Sequence, residues 1–165
     1  MTRNISQEWQ TGADGAIQVS NRQRRFRIFR APIAVFCGSA MDALGKAGWC
    51  LSVSFVGRRT MRTLNREYRK RDYATDVLSF PYPGELEDGI PFLGEIVIAP
   101  EVALEQAGRW RTGLQQEVRR LLLHGILHLR GWDHEKDAGE MMRLEKKLLR
   151  RRWARTPAQL LEPKF

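Results

Sequence analysis

Acidic residues are what this chain is short of. Nineteen Asp and Glu face 28 Lys and Arg over 165 residues, leaving a net charge of +9 and an isoelectric point near 10.2. Cysteine is scarcer still. Cys37 and Cys50 are too few for a disulfide framework and are not in a Cys-x-x-Cys pair, so neither a stapled secreted scaffold nor a zinc ribbon is expected. No stretch approaches the ~18 consecutive apolar residues of a membrane span. The opening MTRNISQEWQTGADG lacks the apolar centre of a signal peptide. These absences predict a reduced, cytoplasmic setting and no membrane partner. Histidine is nearly absent too: there are three in the whole chain.

All three fall in one eleven-residue window, His124-Gly-Ile-Leu-His128-Leu-Arg-Gly-Trp-Asp-His134. Residues four apart share a helix face, so His124 and His128 can grip one ion. Gly131 can end the helix in the left-handed conformation of a C-terminal cap, letting His134 fold back as a third ligand. Three neutral imidazoles and an open position make a catalytic rather than a structural zinc site, since a closed site needs a fourth protein ligand. The spacing matches the His-Glu-x-x-His-x-x-Gly-x-x-His of metzincin proteases with one departure. Gly125 stands where those enzymes carry the glutamate that acts as general base. The metal geometry is kept and the base of peptide hydrolysis is missing. A helix glycine also marks close packing on a neighbouring strand, and both readings of Gly125 can hold together.

The excess charge is mostly arginine, 22 of the 28 basic residues. It predicts a polyanionic partner, because cations on a protein release counterions from phosphates. Residues 58–71 carry seven basic residues against the single acid Glu67. Arg58, Arg62, Arg66 and Arg69 recur at helical spacing, with Met61, Leu64 and Tyr68 on a face that would seal to the core. This reads as a short amphipathic helix with a basic outer stripe. Clusters at Arg22–Arg30 and Lys146–Arg155 are further basic runs, the latter a solvated helix end.

Patterning predicts an α+β fold, a small sheet with helices packed on it. Residues 1–14 read as a variable or disordered tail, and 15–165 as one domain without repeats. Strands are expected at Gly15–Val19, Cys50–Val56, Val77–Phe80 and Gly94–Ala99. Helices are expected at Arg30–Leu44, Thr60–Arg69, from Pro100, at Leu114–Leu129, and at Ala138–Arg152. Asp72–Thr75 and Pro81–Pro91 read as loops.

Four segments together resemble the YbeY family: Leu64-Asn-Arg-Glu-Tyr68-Arg69-Lys-Arg-Asp72, Thr75-Asp-Val-Leu-Ser-Phe-Pro81, Leu93-Gly-Glu-Ile96 and the histidine window. The family motif is His-Gly-x-Leu-His-Leu-x-Gly-Tyr-Asp-His, with Trp132 here in place of the tyrosine. Ala74 and Glu95 stand where proline and aspartate are usual. The likeness runs from about residue 50 to 147. It implies a four-stranded mixed sheet related to the zincin proteases, and a zinc-dependent, single-strand-specific endoribonuclease. It implies zinc ligands at His124, His128 and His134, one Zn2+ per chain, and a catalytic arginine at Arg69. It also implies rRNA as substrate, in 3′-end maturation of 16S rRNA and ribosome quality control, with the small ribosomal subunit and assembly factors as partners and no DNA. Asp133 reads as a ligand-orienting or turn-capping residue. Glu95 and Asp76 are further candidates for a base or an orienting group, while Ser79 and Asn65 read as backbone-holding. Two other functions stay open at this stage: a zincin-like metallohydrolase or peptidase, and a non-enzymatic rRNA-binding assembly factor with a structural zinc.

Overall fold

The computed structural model describes residues 17–85 and 89–164. The expected tail, 1–14, lies outside these residues, as do Gly15 and Ala16 of the first expected strand. The chain runs β1 (Ile17–Asn21), β2 (Phe26–Ile28), α1 (Arg30–Ala43), β3 (Cys50–Phe55), α2 (Arg58–Arg69), β4 (Val77–Pro81), β5 (Phe92–Ile98), α3 (Pro100–Trp110), α4 (Leu114–Leu129), α5 (Glu140–Leu149) and β6 (Leu161–Pro163). The result is an α+β fold around a mixed four-stranded sheet.

Strand order in that sheet is β1-β3-β5-β4. β1, β3 and β5 are parallel, and β4 closes one edge antiparallel to β5, with Val77 opposite Ile98 and Pro81 opposite Gly94. The central strands β3 and β5 are covered on both faces, and their apolar runs CLSVSF and FLGEIVI fit that burial. On one face α1 and α4 pack in the larger core, with Ile33, Leu51, Val53, Phe55, Ile96, Ile98, Leu122 and Ile126. On the other, Met61 of α2 and Val102 of α3 meet Val56, Leu78 and Val97 in a smaller cluster. The two-residue period of β4 divides its side chains between these faces. Val77 packs towards the α4 side and Ser79 reaches the Gly125 carbonyl there at 3.4 Å, while Leu78 and Phe80 turn to the α2 side.

Three local expectations are revised. The last helix ends at Leu149 rather than Arg152 and is followed by a 3-10 turn, Arg152–Arg155. The chain then returns as β6, which pairs antiparallel with β2 and buries Phe26, Leu160 and Leu161. Neither three-residue strand has enough period to register on its own; each is held by the other. Tyr68, expected to seal α2 to the core, is 64% exposed.

Gly125 sits where α4 touches the sheet. A Cβ built there would lie 2.9–3.0 Å from Cδ1, Cγ1 and Cγ2 of Ile96 on β5. Ile96 is fully buried in a central strand and has no room to withdraw. Gly125→Ala should therefore lose stability although alanine is the better helix former. Overpacking costs about 1–3 kcal/mol against ~1 kcal/mol gained in propensity, so a net loss of up to about 2 kcal/mol is expected. Urea unfolding measures it; an unchanged or higher midpoint would show that Ile96 yields freely.

Candidate metal centre and its cleft

The helix α4 presents His124 and His128 from one face while its other faces bury Val118, Leu121, Leu122, Ile126 and Leu127. Its end is a Schellman motif. The Trp132 N–H donates to the Leu127 carbonyl at 3.1 Å, the Gly131 N–H to the His128 carbonyl at 2.9 Å, and Gly131 has φ +100°. This reversal brings His134 back over the helix it has just left.

The three rings converge. His124 Nε2 lies 3.1 Å from His128 Nε2, and His134 Nδ1 lies 3.0 Å from the same His128 Nε2. One nitrogen from each of the three falls within a 4.8 Å set. Ring nitrogens facing one another at such distances need a shared proton or a cation between them. Tetrahedral zinc with ~2.0–2.1 Å bonds holds its ligand nitrogens about 3.3 Å apart, close to what is seen. Burial, and then the positive charge that His124 and His134 would carry, pushes the His128 pKa below its usual value, which favours the neutral form a ligand must have. The cluster could hold a metal ion. Cys37 and Cys50, both buried, are not part of it.

Glu145 completes the site from α5. Its Oε2 accepts from His124 Nδ1 at 2.8 Å, which fixes the proton there and leaves Nε2 bare towards the other rings. Glu145 is itself held by a charged network. Arg120 lies 3.7 Å from Glu145 and 4.0 Å from Asp76, and makes a two-pronged bond to buried Glu117 at 2.7 and 3.1 Å. The Glu117 hydrogen bond, the largest influence, raises the Arg120 pKa further. The sequence does carry a sign of Glu145. An acid lies between Met141 and Leu148 on the apolar side of α5, where an unpaired charge would be costly.

The histidines open onto a cleft of about 680 Å³, walled by β4 on one side and the His128–His134 turn on the other. Tyr68, Arg69 and Arg71 form its rim. Arg69 is the last residue of α2, and Lys70 caps the helix in the left-handed conformation, φ 59°. The chain reverses there and turns Arg71 to the same cleft. Neither Arg69 nor Arg71 forms an ion pair among the described residues.

The rest of the basic stripe is arranged differently from expectation. Arg62 makes a two-pronged pair with Asp72 at 2.9 and 3.0 Å, Arg66 lies 3.8 Å from the same carboxylate, and Arg58 pairs with Glu105. The Arg62 hydrogen bond holds the Asp72 carboxyl below its usual pKa. These are exposed pairs and contribute little stability, but they leave the cleft-facing Arg69 and Arg71 as the unpaired end of the run.

Among the other candidates, Asp76 lines the cleft, and its carboxylate accepts the Val77 N–H at 2.8 Å. Glu95 does not reach the cleft. It alternates with Ile96, so it lies on the opposite sheet face from α4, accepting from Ser54 Oγ at 2.8 Å. Asp133 accepts the Glu135 N–H at 3.0 Å and so caps the turn that carries His134. Asn65 Nδ2 donates to the Tyr73 carbonyl at 2.8 Å.

Glu145→Gln keeps the size of the side chain and removes its charge. If the carboxylate orients His124 for a metal, affinity for zinc should fall about 10- to 100-fold, with the apo-protein's unfolding midpoint little changed. Competition against a chromogenic chelator measures the affinity, and an unaltered value would reduce Glu145 to a packing contact.

The sequence model described as "Endoribonuclease YbeY" matches residues 18–152, further at both ends than the motifs themselves. An endoribonuclease YbeY of Thermodesulfovibrio yellowstonii is 39% identical over 151 residues, covering 81% of this chain and 95% of the relative. That of Alkaliphilus metalliredigens is 37% identical over 145 residues, covering 81% and 93%, and that of Aquifex aeolicus 46% over 117 residues, covering 71% and 77%. In three dimensions the chain is similar to the solution structure of a Thermotoga maritima protein, with a TM-score of 0.54 and 26% identity over 80% of this chain and 85% of that one. The match along 18–152 and the identity to these relatives establish that the chain belongs to the YbeY endoribonuclease family.

Proposed function

We propose that this chain is a zinc-dependent endoribonuclease that cuts single-stranded RNA. In this reading residues 15–165 form one catalytic domain, His124, His128 and His134 hold one zinc ion, and Arg69 binds the phosphate that is cut. The observation that carries it is the convergence of three imidazole nitrogens on one wall of a cleft whose rim is Arg69 and Arg71. Family membership makes RNA the substrate class, and the +9 charge suits a polyanion. The same membership supports maturation of the 3′ end of small-subunit rRNA and ribosome quality control as the biological setting. The cytoplasm would be the site of action, with the small subunit and its assembly factors as partners. Among the described residues no helix is long and apolar enough to cross a membrane.

When bound, the zinc ion would supply Lewis-acid chemistry, polarising a water or a phosphate oxygen. The protein's own residues do the rest. Glu145 holds the proton of His124 on Nδ1, so that Nε2 faces the cleft as a bare donor. Arg69 can offer two parallel N–H groups to non-bridging phosphate oxygens, whose negative charge grows as the phosphorus becomes five-coordinate. Asp76, also in the cleft, lies 4.0 Å from Arg120.

The peptidase reading loses its main support. The glutamate that such an enzyme needs would stand at position 125, and Ile96 already occupies the space of its Cβ. A purely structural zinc is disfavoured too, because no cysteine or carboxylate joins the three histidines as a fourth ligand in the described cluster.

Two substitutions test the assignment. His128→Ala should abolish stoichiometric metal, about one ion per chain in the wild type by elemental analysis, and cleavage with it; full metal retention would overturn the ligand set. Arg69→Lys keeps the charge and loses the two-pronged geometry. Cleavage of single-stranded RNA should fall tenfold or more, about 1.4 kcal/mol in barrier, with zinc content and RNA affinity near wild type. A lysine variant that cuts normally would return Arg69 to the general basic surface.

A further inference from the structure

We propose that Tyr68 is a stacking platform for a base next to the cut phosphate, and that it supplies the preference for unpaired RNA; this rests on the endoribonuclease reading above. Tyr68 lies on the rim of the cleft that the histidines open onto, one residue before Arg69. It is 64% exposed, although its helical position would suit burial. Its ring is not loose. It meets Phe80 edge-to-face, with centroids 5.0 Å apart and an interplanar angle of 70°. Phe80 in turn packs against the cluster containing Met61, Leu78 and Val97. An aromatic ring held by a half-buried neighbour, yet open to the cleft, offers a base a flat surface whose ordering is already done.

The neighbours define the ligand. A base on Tyr68 places its own sugar-phosphate within the reach of the same helix end, where Arg69 and Arg71 carry no competing acid among the described residues. Stacking on aromatic rings tolerates any base but requires an unstacked one, which a single strand provides and a duplex does not. Tyr73 and Tyr82 are also exposed, but neither lines the cleft, and Tyr82 packs on Phe92. The feature is therefore position-specific rather than a general scatter of surface tyrosines.

An abasic scan tests this with the zinc-loaded full chain. Short single-stranded RNAs carry one abasic nucleotide, moved along the strand relative to the mapped cut. In the wild type one position should lower kcat/KM about tenfold, the scale of a lost base–aromatic stack. Tyr68→Ala should lower kcat/KM on the intact RNA by about the same factor and make that abasic position neutral, with zinc content unchanged. Tyr68→Phe should behave as wild type. Tyr68→Leu keeps an apolar contact for Phe80 without a flat ring, and should resemble the alanine variant, which separates stacking from support of Phe80. Tyr73→Ala is the control and should be silent. The proposal is overturned if Tyr68→Ala or Tyr68→Leu cleaves as well as wild type, or if the abasic penalty persists in them. A wild-type protein that cuts no RNA would instead remove the endoribonuclease reading, and this inference with it.

Discussion

The contact between Gly125 and Ile96 sets the level at which the rest of the site is built. Two elements that bury apolar faces normally stand apart by the thickness of their side chains. Here the helix residue has none, and α4 settles onto β5 until Ile96 fills the gap. The same helix carries His124 one residue before this contact and His128 three residues after it, so their height above the sheet follows from it. Ser79 of β4 reaches the Gly125 carbonyl at that point, which joins the edge strand and the metal helix into the two walls of one cleft. The glycine thus leaves no carboxylate at this position and sets the height of the two histidines in a single choice.

Charge is the second constraint. The chain carries a strong arginine surplus, yet it does not spread that charge evenly over the cleft. Glu117 and Glu145 hold Arg120 behind the histidines, Asp72 collects Arg62 and Arg66, and Glu105 takes Arg58. Arg69 and Arg71 lie beyond these pairs, on either side of the left-handed Lys70. A phosphate entering the cleft meets guanidinium groups that need not first release an internal carboxylate. The exposed pairs at Asp72 can still exchange for phosphate, since such pairs contribute little by themselves.

What was legible in the sequence was local or periodic. The i, i+4 histidines, the glycine stop and the apolar stripe of α4 all lie within one stretch, and its bounds, Leu114–Leu129, are those expected from patterning. Cys50–Val56 announced itself by β-branched alternation, and Pro100 marked the first turn of α3. What was illegible depended on partners far away in the chain. β2 and β6 are three residues each and exist through each other. Glu145 acquires meaning only when α5 folds against α4, twenty-one positions after His124. The pairing of Arg62 with Asp72 bends the basic helix's charge back on itself through a loop whose path no periodicity describes. Tyr68 looked like a core residue because helical spacing reports a face, not where that face ends; in the last turn of α2 its ring meets Phe80 of the edge strand and lines the cleft.

The division between rigid and presented parts follows from this. The imidazoles come from a helix buried on most sides and from a Schellman turn closed by two backbone hydrogen bonds, and His124 is fixed by a carboxylate that is itself fixed by an arginine. Such a chain of contacts suits groups that must converge on one point within tenths of an ångström. The arginines come instead from a helix end and the loop beyond it, on long side chains that form no ion pair among the described residues. A metal ligand set gains from having one geometry, whereas a flexible polyanion is better met by side chains that can follow its phosphates. The fold places the first kind of group at the back of the cleft and the second at its rim. In the endoribonuclease reading proposed above, a strand held by the arginines at the rim would still have to turn its reacting phosphate towards the histidines behind them.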